Sequence, residues 1–126
     1  KRVLLIEDHP VNTEIAARIL AKAHIIVDSA ENGQKGYEKY MQAQEHTYDM
    51  ILMDLQMPIT NGYQATYAIR SSQKADAKTI PIIAMTANAY AEDVQKCLEA
   101  GMNGHIAKPL DPQKVIETIA LYLNKK

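Results

Sequence analysis

Five side chains of this sequence carry groups that could act on phosphorus together: the carboxylates of Glu7, Asp8 and Asp54, the hydroxyl of Thr86 and the ammonium of Lys108. Each stands where a short apolar run gives out. Val3-Leu4-Leu5-Ile6 ends in Glu7-Asp8, Met50-Ile51-Leu52-Met53 in Asp54, Ile82-Ile83-Ala84-Met85 in Thr86, and His105-Ile106-Ala107 in Lys108. Two carboxylates ~5 Å apart at an effective dielectric near 20 repel by roughly 3 kcal/mol, so three brought together require a cation. Mg²⁺ suits such a set, because it takes one or two carboxylates, keeps waters and accepts phosphate oxygens. A lysine can meet a phosphoryl oxygen as a compact charge, and a threonine can donate to another. A carboxylate nucleophile so equipped could take a phosphoryl group in line, a reaction governed by positioning and by neutralising the equatorial oxygens. For Asp54 alone, capping the next helix or starting a turn is an equally good reading.

These groups converge only if the runs before them are parallel strands. Four consecutive apolar residues read as a strand buried on both faces, the kind found in parallel sheets. Strand one is expected over residues 1–7, a strand nearer the edge over 24–30, the central strand up to Asp54, a fourth over 80–85 and a short fifth around 105–107. Helix-period segments alternate with them. The first begins at Pro10 and ends near residue 23, with Val11, Ile15 and Ile19 at fourfold spacing. The second follows Asn32-Gly33, carries Tyr37, Tyr40 and Met41 and runs to about residue 45. The third spans about 63–72 with Tyr63, Tyr67 and Ile69 as anchors. The fourth holds Val94, Cys97 and Leu98 and closes at Gly101. The fifth is capped by Asp111 and carries Val115, Ile116, Ile119 and Leu123. Residues 71–79 form the longest loop. Five such alternations with helical crossovers imply an α/β fold with helices on both faces of a parallel sheet. Strand order cannot be read from periodicity; in the order 2-1-3-4-5, Glu7 and Asp8 would stand beside Asp54.

Composition narrows the classes. The 126 residues suit one domain, residues 1–126, and 14 basic against 15 acidic residues, scattered along the chain, give no nucleic-acid or membrane-surface signature. No apolar run reaches membrane-spanning length. The lone Cys97 suits a reducing compartment and reads as a small core residue. His24, His46 and Cys97 lack metal-ligand spacing, and Glu7-Asp8-His9-Pro10 stands where a nucleotide fold would place its glycine-rich cradle.

In order, these fragments resemble the receiver domains of two-component response regulators. The resemblance rests on Glu7-Asp8, on Met53-Asp54-Leu55-Gln56-Met57-Pro58 with Gly62, on Met85-Thr86-Ala87-Asn88-Ala89 and on Lys108-Pro109, and it covers the chain nearly end to end. It implies a three-layer (βα)5 flavodoxin-like sandwich of strand order 2-1-3-4-5. It further implies that Asp54 accepts phosphate from a phosphohistidine, and that Asp8 and Asp54 coordinate Mg²⁺ with the Gln56 carbonyl, Glu7 acting through water. Lys108 would bridge the site to the phosphoryl group, and the Lys108-Pro109 bond would be cis. Thr86 would be recruited to the phosphate beside Ala87, with Gln56 and Asn88 flanking slow self-catalysed hydrolysis. The wording of the motifs, with Asn12, is more like receivers fused to hybrid sensor histidine kinases than like those fused to DNA-binding regulators. The alternative is a stand-alone response regulator acting through protein-protein contacts. Residue 1 is Lys, not Met, which suggests a domain excised from a longer protein.

Expected partners are a histidine kinase or a histidine phosphotransfer domain, with no direct nucleic-acid or membrane contact, in a monomer or weak dimer. The expected setting is cytoplasmic, including the cytoplasmic part of a membrane-bound sensor. Two positions depart from the pattern: His105 replaces the usual switch aromatic, and Thr60-Asn61 replaces the usual Met-Asp. His9 reads as a solvated loop residue. An aspartyl-phosphate phosphatase would need a carboxylate where Gln56 stands, and the acidic cluster would repel a flavin phosphate.

Overall fold

In the computed structural model, residues 1–44, 46–55, 61–86, 91–108 and 110–123 are described. The elements run β1 (Arg2–Ile6), α1 (Pro10–Lys22), β2 (Ile26–Ala30), α2 (Gly33–Gln42), β3 (Met50–Asp54), α3 (Gly62–Arg70), β4 (Ile82–Thr86), α4 (Ala91–Ala100), β5 (Gly104–Ala107) and α5 (Pro112–Leu123). All strand pairs are parallel and the order is β2-β1-β3-β4-β5. The switch point between β1 and β3 therefore lies at the end of the sheet where Glu7, Asp8 and Asp54 emerge.

The apolar runs explain this architecture residue by residue. Side chains alternate across a strand, so a strand with a helix on each face must be apolar at every position. Leu4, Ile6, Ile51, Met53, Ile82 and Ala84 face one core, which includes Tyr40 of α2, Ala65 and Ile69 of α3 and Cys97 of α4. Val3, Leu5, Met50, Leu52, Ile83 and Met85 face the other, against Ala16, Ile19 and Leu20 of α1 and Val115 and Ile119 of α5. Each of the fully buried leucines contributes ~1.5–3 kcal/mol by leaving water. β2 is an edge strand and is correspondingly mixed: its Asp28 carboxylate accepts from the Arg2 guanidinium and the Tyr48 hydroxyl, both at 2.9 Å. Burial, and then that carboxylate, push the Tyr48 hydroxyl up to about 12.

Five sequence expectations are corrected. α2 stops at Gln42, short of residue 45, where Ala43 turns extended as its C-cap. β4 begins at Ile82, because Pro81 offers only its carbonyl to the ladder, accepting from the Ile51 amide at 2.9 Å. Tyr67 is 70% exposed on the outer face of α3, so Ala65, Thr66 and Ile69 are the buried residues there. Leu98 is likewise exposed, while Cys97 beside it is buried. In α1, Val11 and Ile15, in the first half of the helix, are exposed, although Ile19, one turn beyond Ile15 and two beyond Val11, is buried. Gly101 does close α4, at φ +103°, a backbone conformation in which a Cβ is strained. Asp111 caps α5, its carboxylate accepting from the Gln113 amide at 3.0 Å.

Candidate phosphoryl-acceptor site

Parallel strands that finish on one side bring the predicted groups to one edge. β1 and β3 pair directly, with Ile6 opposite Met53, so the next residues, Glu7 and Asp54, are neighbours across the switch point. Backbone bonds extend the sheet past its strands and hold these ends: the Glu7 amide donates to the Ala30 carbonyl, Leu55 to Met85, and Lys108 to Thr86. Through this last bond, at 2.8 Å, the end of β4 positions the backbone of Lys108. Thr86 itself is buried at the end of β4, with Ala107 as its β5 partner.

Glu7 and Asp54 are 2% and 3% exposed, whereas Asp8 is open to solvent. Glu7, Asp8 and Asp54 each offer an oxygen, and the three oxygens lie within 4.8 Å of one another. The Lys108 ammonium reaches between two of them, donating to Glu7 Oε1 at 3.0 Å and Asp54 Oδ1 at 3.2 Å. Burial alone would push that ammonium down, but the hydrogen bonds and charges of Glu7 and Asp54 outweigh it and hold it above its ordinary value. One ammonium among three carboxylates leaves negative charge uncompensated. The second oxygen of Glu7, Oε2, is buried with no hydrogen-bond partner. An orphaned carboxylate oxygen beside two more carboxylates is the donor set of a hard divalent cation, so the residues present fit Mg²⁺.

The start of α3 packs closely against the end of β3 at Gly62, whose amide donates to the Leu55 carbonyl at 3.2 Å. A Cβ at this position would stand 2.5 Å from the Asp54 carbonyl oxygen and 3.0 Å from Leu55 Cα, both backbone atoms that cannot swing aside. Asn61 starts α3 with a reciprocal cap: its side chain accepts from the Gln64 amide at 2.9 Å, while the Gln64 side chain accepts from the Asn61 amide at 3.0 Å. The Asn-x-x-Gln spacing was the available signal for this cap. It gives the departure from the usual pattern at residue 61 a structural role. His9 also caps a helix, its ring Nδ1 accepting from the Val11 amide at 3.3 Å, while remaining exposed.

The structure thus brings together Glu7, Asp8, Asp54, Thr86 and Lys108. His105 lies on β5, half-buried, opposite Ala84 of β4. Gln56, Ala87, Asn88 and Pro109, with the cis bond expected before Pro109, lie outside the described residues. The sequence reading missed Arg70, which ties the far ends of the helices. Its guanidinium donates to the carbonyls of Gly101 and Ala77, each at 2.9 Å, and to Asn103 Oδ1 at 2.8 Å. No local motif announces bonds that join residues 31 and 33 positions apart.

Comparison with known proteins gives the same picture. A hybrid signal transduction histidine kinase (I) of Dictyostelium discoideum is 36% identical over 121 residues; the match takes in 94% of this chain but 7% of that protein. The receiver domain of the sensor histidine kinase PA1611 of Pseudomonas aeruginosa, solved with a magnesium ion coordinated in its active-site cleft, superposes with a TM-score of 0.88 at 33% identity, covering 99% of this chain and 98% of that one. The receiver domain of Ssk1 of Saccharomyces cerevisiae, solved with the histidine phosphotransfer protein Ypd1, superposes at 0.84 with 28% identity, over 96% and 87% of the respective chains. Residues 3–120 match the response regulator receiver domain family, and the chain belongs to that family.

Proposed function

We propose that this domain is the phospho-acceptor of a phosphorelay, taking a phosphoryl group from a phosphohistidine onto Asp54. The observation that carries the reading is the meeting of three carboxylate oxygens within 4.8 Å around a lysine that already touches two of their side chains. In the transfer an Asp54 carboxylate oxygen forms the new bond to phosphorus as the bond from phosphorus to the donor's imidazole nitrogen breaks, and the leaving imidazole keeps the electron pair. Asp54 is held for this by β3, whose end packs closely against Gly62. Glu7, Asp8 and Asp54, with the Gln56 carbonyl, would hold Mg²⁺, which supplies positive charge against the phosphoryl oxygens. Lys108 pairs with one such oxygen, and the Thr86 hydroxyl donates to another.

Once phosphorylated, Asp54 bears a group carrying close to two negative charges in place of its single carboxylate charge. The Thr86 hydroxyl and the segment from Ala87 move towards the new oxygens, and His105 with the α4–β5 face follows, which changes what that face binds. Slow hydrolysis past Gln56 and Asn88 resets the switch. The donor is a histidine kinase or a histidine phosphotransfer domain, docking on α1 where Val11 and Ile15 are exposed. The chain spans only 5–15% of the curated relatives it matches, and as in them it would be a receiver carried by a longer hybrid sensor histidine kinase. A cytoplasmic setting and a monomeric or weakly dimeric state complete this reading. Among the described residues no helix is long and apolar enough to cross a membrane.

The test is phosphorylation by acetyl phosphate, followed by intact mass. One phosphoryl group per chain is expected with Mg²⁺, and none with a chelator or in Asp54→Asn. Equal labelling of that variant would remove Asp54 as the acceptor.

A further inference from the structure

A groove of about 530 Å³ runs from the acidic site outwards between α1 and α2, over the ends of β1 and β2. Its inner end is Glu7 and Asp8, and its outer wall carries Lys35 and Lys39, one helical turn apart on the exposed side of α2. The charges along it are not equivalent. Glu14 is paired with Arg18 at 2.6 Å, and Glu31 is paired with Lys35. Glu7 and Asp8 belong to the cation site. Lys39 alone of the groove's charged groups spends its ammonium on a neutral partner, the Ser29 carbonyl, at 2.7 Å. Among the described residues no carboxylate stands within ion-pair distance of it, although Asp28 feels its charge from further away. Lys39 is therefore a cation whose present contact can be exchanged for a carboxylate with net gain, since charged pairs bind more strongly than a charge with a carbonyl.

We propose that Lys39 reads the phosphodonor. An acidic segment of the histidine-carrying protein lies in the α1–α2 groove, with a donor carboxylate replacing the Ser29 carbonyl on the Lys39 ammonium. The inference rests on the acceptor role of Asp54 given above and extends it from chemistry to choice of partner. Because the groove opens directly on Glu7 and Asp8, a donor that holds its histidine over Asp54 has the neighbouring stretch of its chain beside α2. A charge at such a rim acts on encounter and selection more than on the chemical step, so its removal is felt in KM and in salt dependence.

The experiment compares two donors, acetyl phosphate and phosphorylated Ypd1, on the wild-type domain and on Lys39→Glu, Lys39→Arg and Lys78→Glu. Lys78 lies in the exposed loop before β4, away from the groove, and its reversal controls for net charge. For Lys39→Glu, kcat/KM for transfer from Ypd1 is expected to fall about tenfold through KM, with a weaker dependence on salt. Its labelling by acetyl phosphate is expected to stay within about twofold of wild type, as are Lys39→Arg and Lys78→Glu with either donor. The proposal is overturned by equal losses of Lys39→Glu with both donors, by unchanged transfer from Ypd1, by an equal loss in Lys78→Glu, or by a wild-type domain that labels with acetyl phosphate yet refuses Ypd1. A wild-type domain inert to acetyl phosphate with Mg²⁺ would instead remove the acceptor reading on which this one stands.

Discussion

Asp76 and Asp54 are both almost fully buried, at 4% and 3% exposure, yet they sit in opposite kinds of surroundings. Asp76 lies in the loop before β4, at the far end of the sheet from the acidic edge. One of its oxygens accepts from the Tyr40 hydroxyl at 2.8 Å and the other from the His46 amide at 3.0 Å. Its own carbonyl accepts from the Ile80 amide at 2.9 Å, and Lys74 stands 3.9 Å over the Tyr40 ring. Burial alone would push the Asp76 carboxyl up, but the Tyr40 and His46 bonds and the Lys74 charge outweigh it and hold it below the usual carboxylate range. Around Asp54 the neighbours include two further carboxylates, and one oxygen of Glu7 is left unpaired. Asp76 is met by a donor at each oxygen, whereas Asp54 shares its lysine with a second carboxylate and stands beside a third.

The contrast can be broken by making the same change in both places. Asp76→Asn places an amide where two donors converge and should cost about 3 kcal/mol, read from urea denaturation at neutral pH. A cost below about 1 kcal/mol would mean that Asp76 is not the anchor of its loop. The same carboxylate fixes an acid limb. Since its folded pKa lies below the unfolded one, its contribution is complete above the ordinary carboxylate range and is lost as pH falls through the folded value. Asp76→Asn should therefore flatten the loss of stability below about pH 4. Lys108 runs the other way: its folded pKa is raised, so its contribution is complete below the ordinary lysine value and fades only as pH rises through the folded one.

The cation supplies the next effect. Mg²⁺ at 100 times its dissociation constant should stabilise the domain by about 2.7 kcal/mol, seen as a rise in Tm, and Asp8→Asn should remove most of that rise. An unchanged Tm at millimolar Mg²⁺ would argue that the oxygens around Glu7 hold no metal. A smaller effect of opposite sign to that at Asp76 belongs to Asp54→Asn. Without divalent cation it relieves like-charge crowding and should stabilise by about 1 kcal/mol, an advantage that disappears when Mg²⁺ is added. Destabilisation of the metal-free protein by this variant would erase the distinction between the two regions. The smallest change sharpens the background against which both are read. His24 ends α1 at φ 62°, so His24→Gly should stabilise by about 0.5–1 kcal/mol in the same denaturation assay.

The acidic region was legible in the sequence and the Asp76 region was not, for a physical reason. Glu7, Asp54 and Thr86 each terminate a continuous apolar run and Lys108 a short strand, and parallel topology alone sends all strand ends to one side. Local pattern therefore carried long-range placement. The Asp76 network joins residues 36 and 30 positions apart through single bonds, and nothing in the composition of residues 71–79 marks which of them turns inward. Tyr67 was misplaced because Tyr63 and Tyr67 share helical spacing with either face of α3, and the face is settled by Gly62 and Ala65, whose small size lets the helix lie against β3. The neighbours of β1 likewise had to come from the family pattern, since periodicity places a strand in a sheet without saying beside which other strand.

The most direct test of the acceptor assignment is to label the domain with acetyl phosphate and Mg²⁺, reduce it with borohydride, which turns an aspartyl phosphate into homoserine, and map the modified residue by peptide mass spectrometry. The conversion is expected at Asp54 alone. Homoserine at Asp8, or phosphate recovered on a histidine with Asp54 intact, would contradict the account.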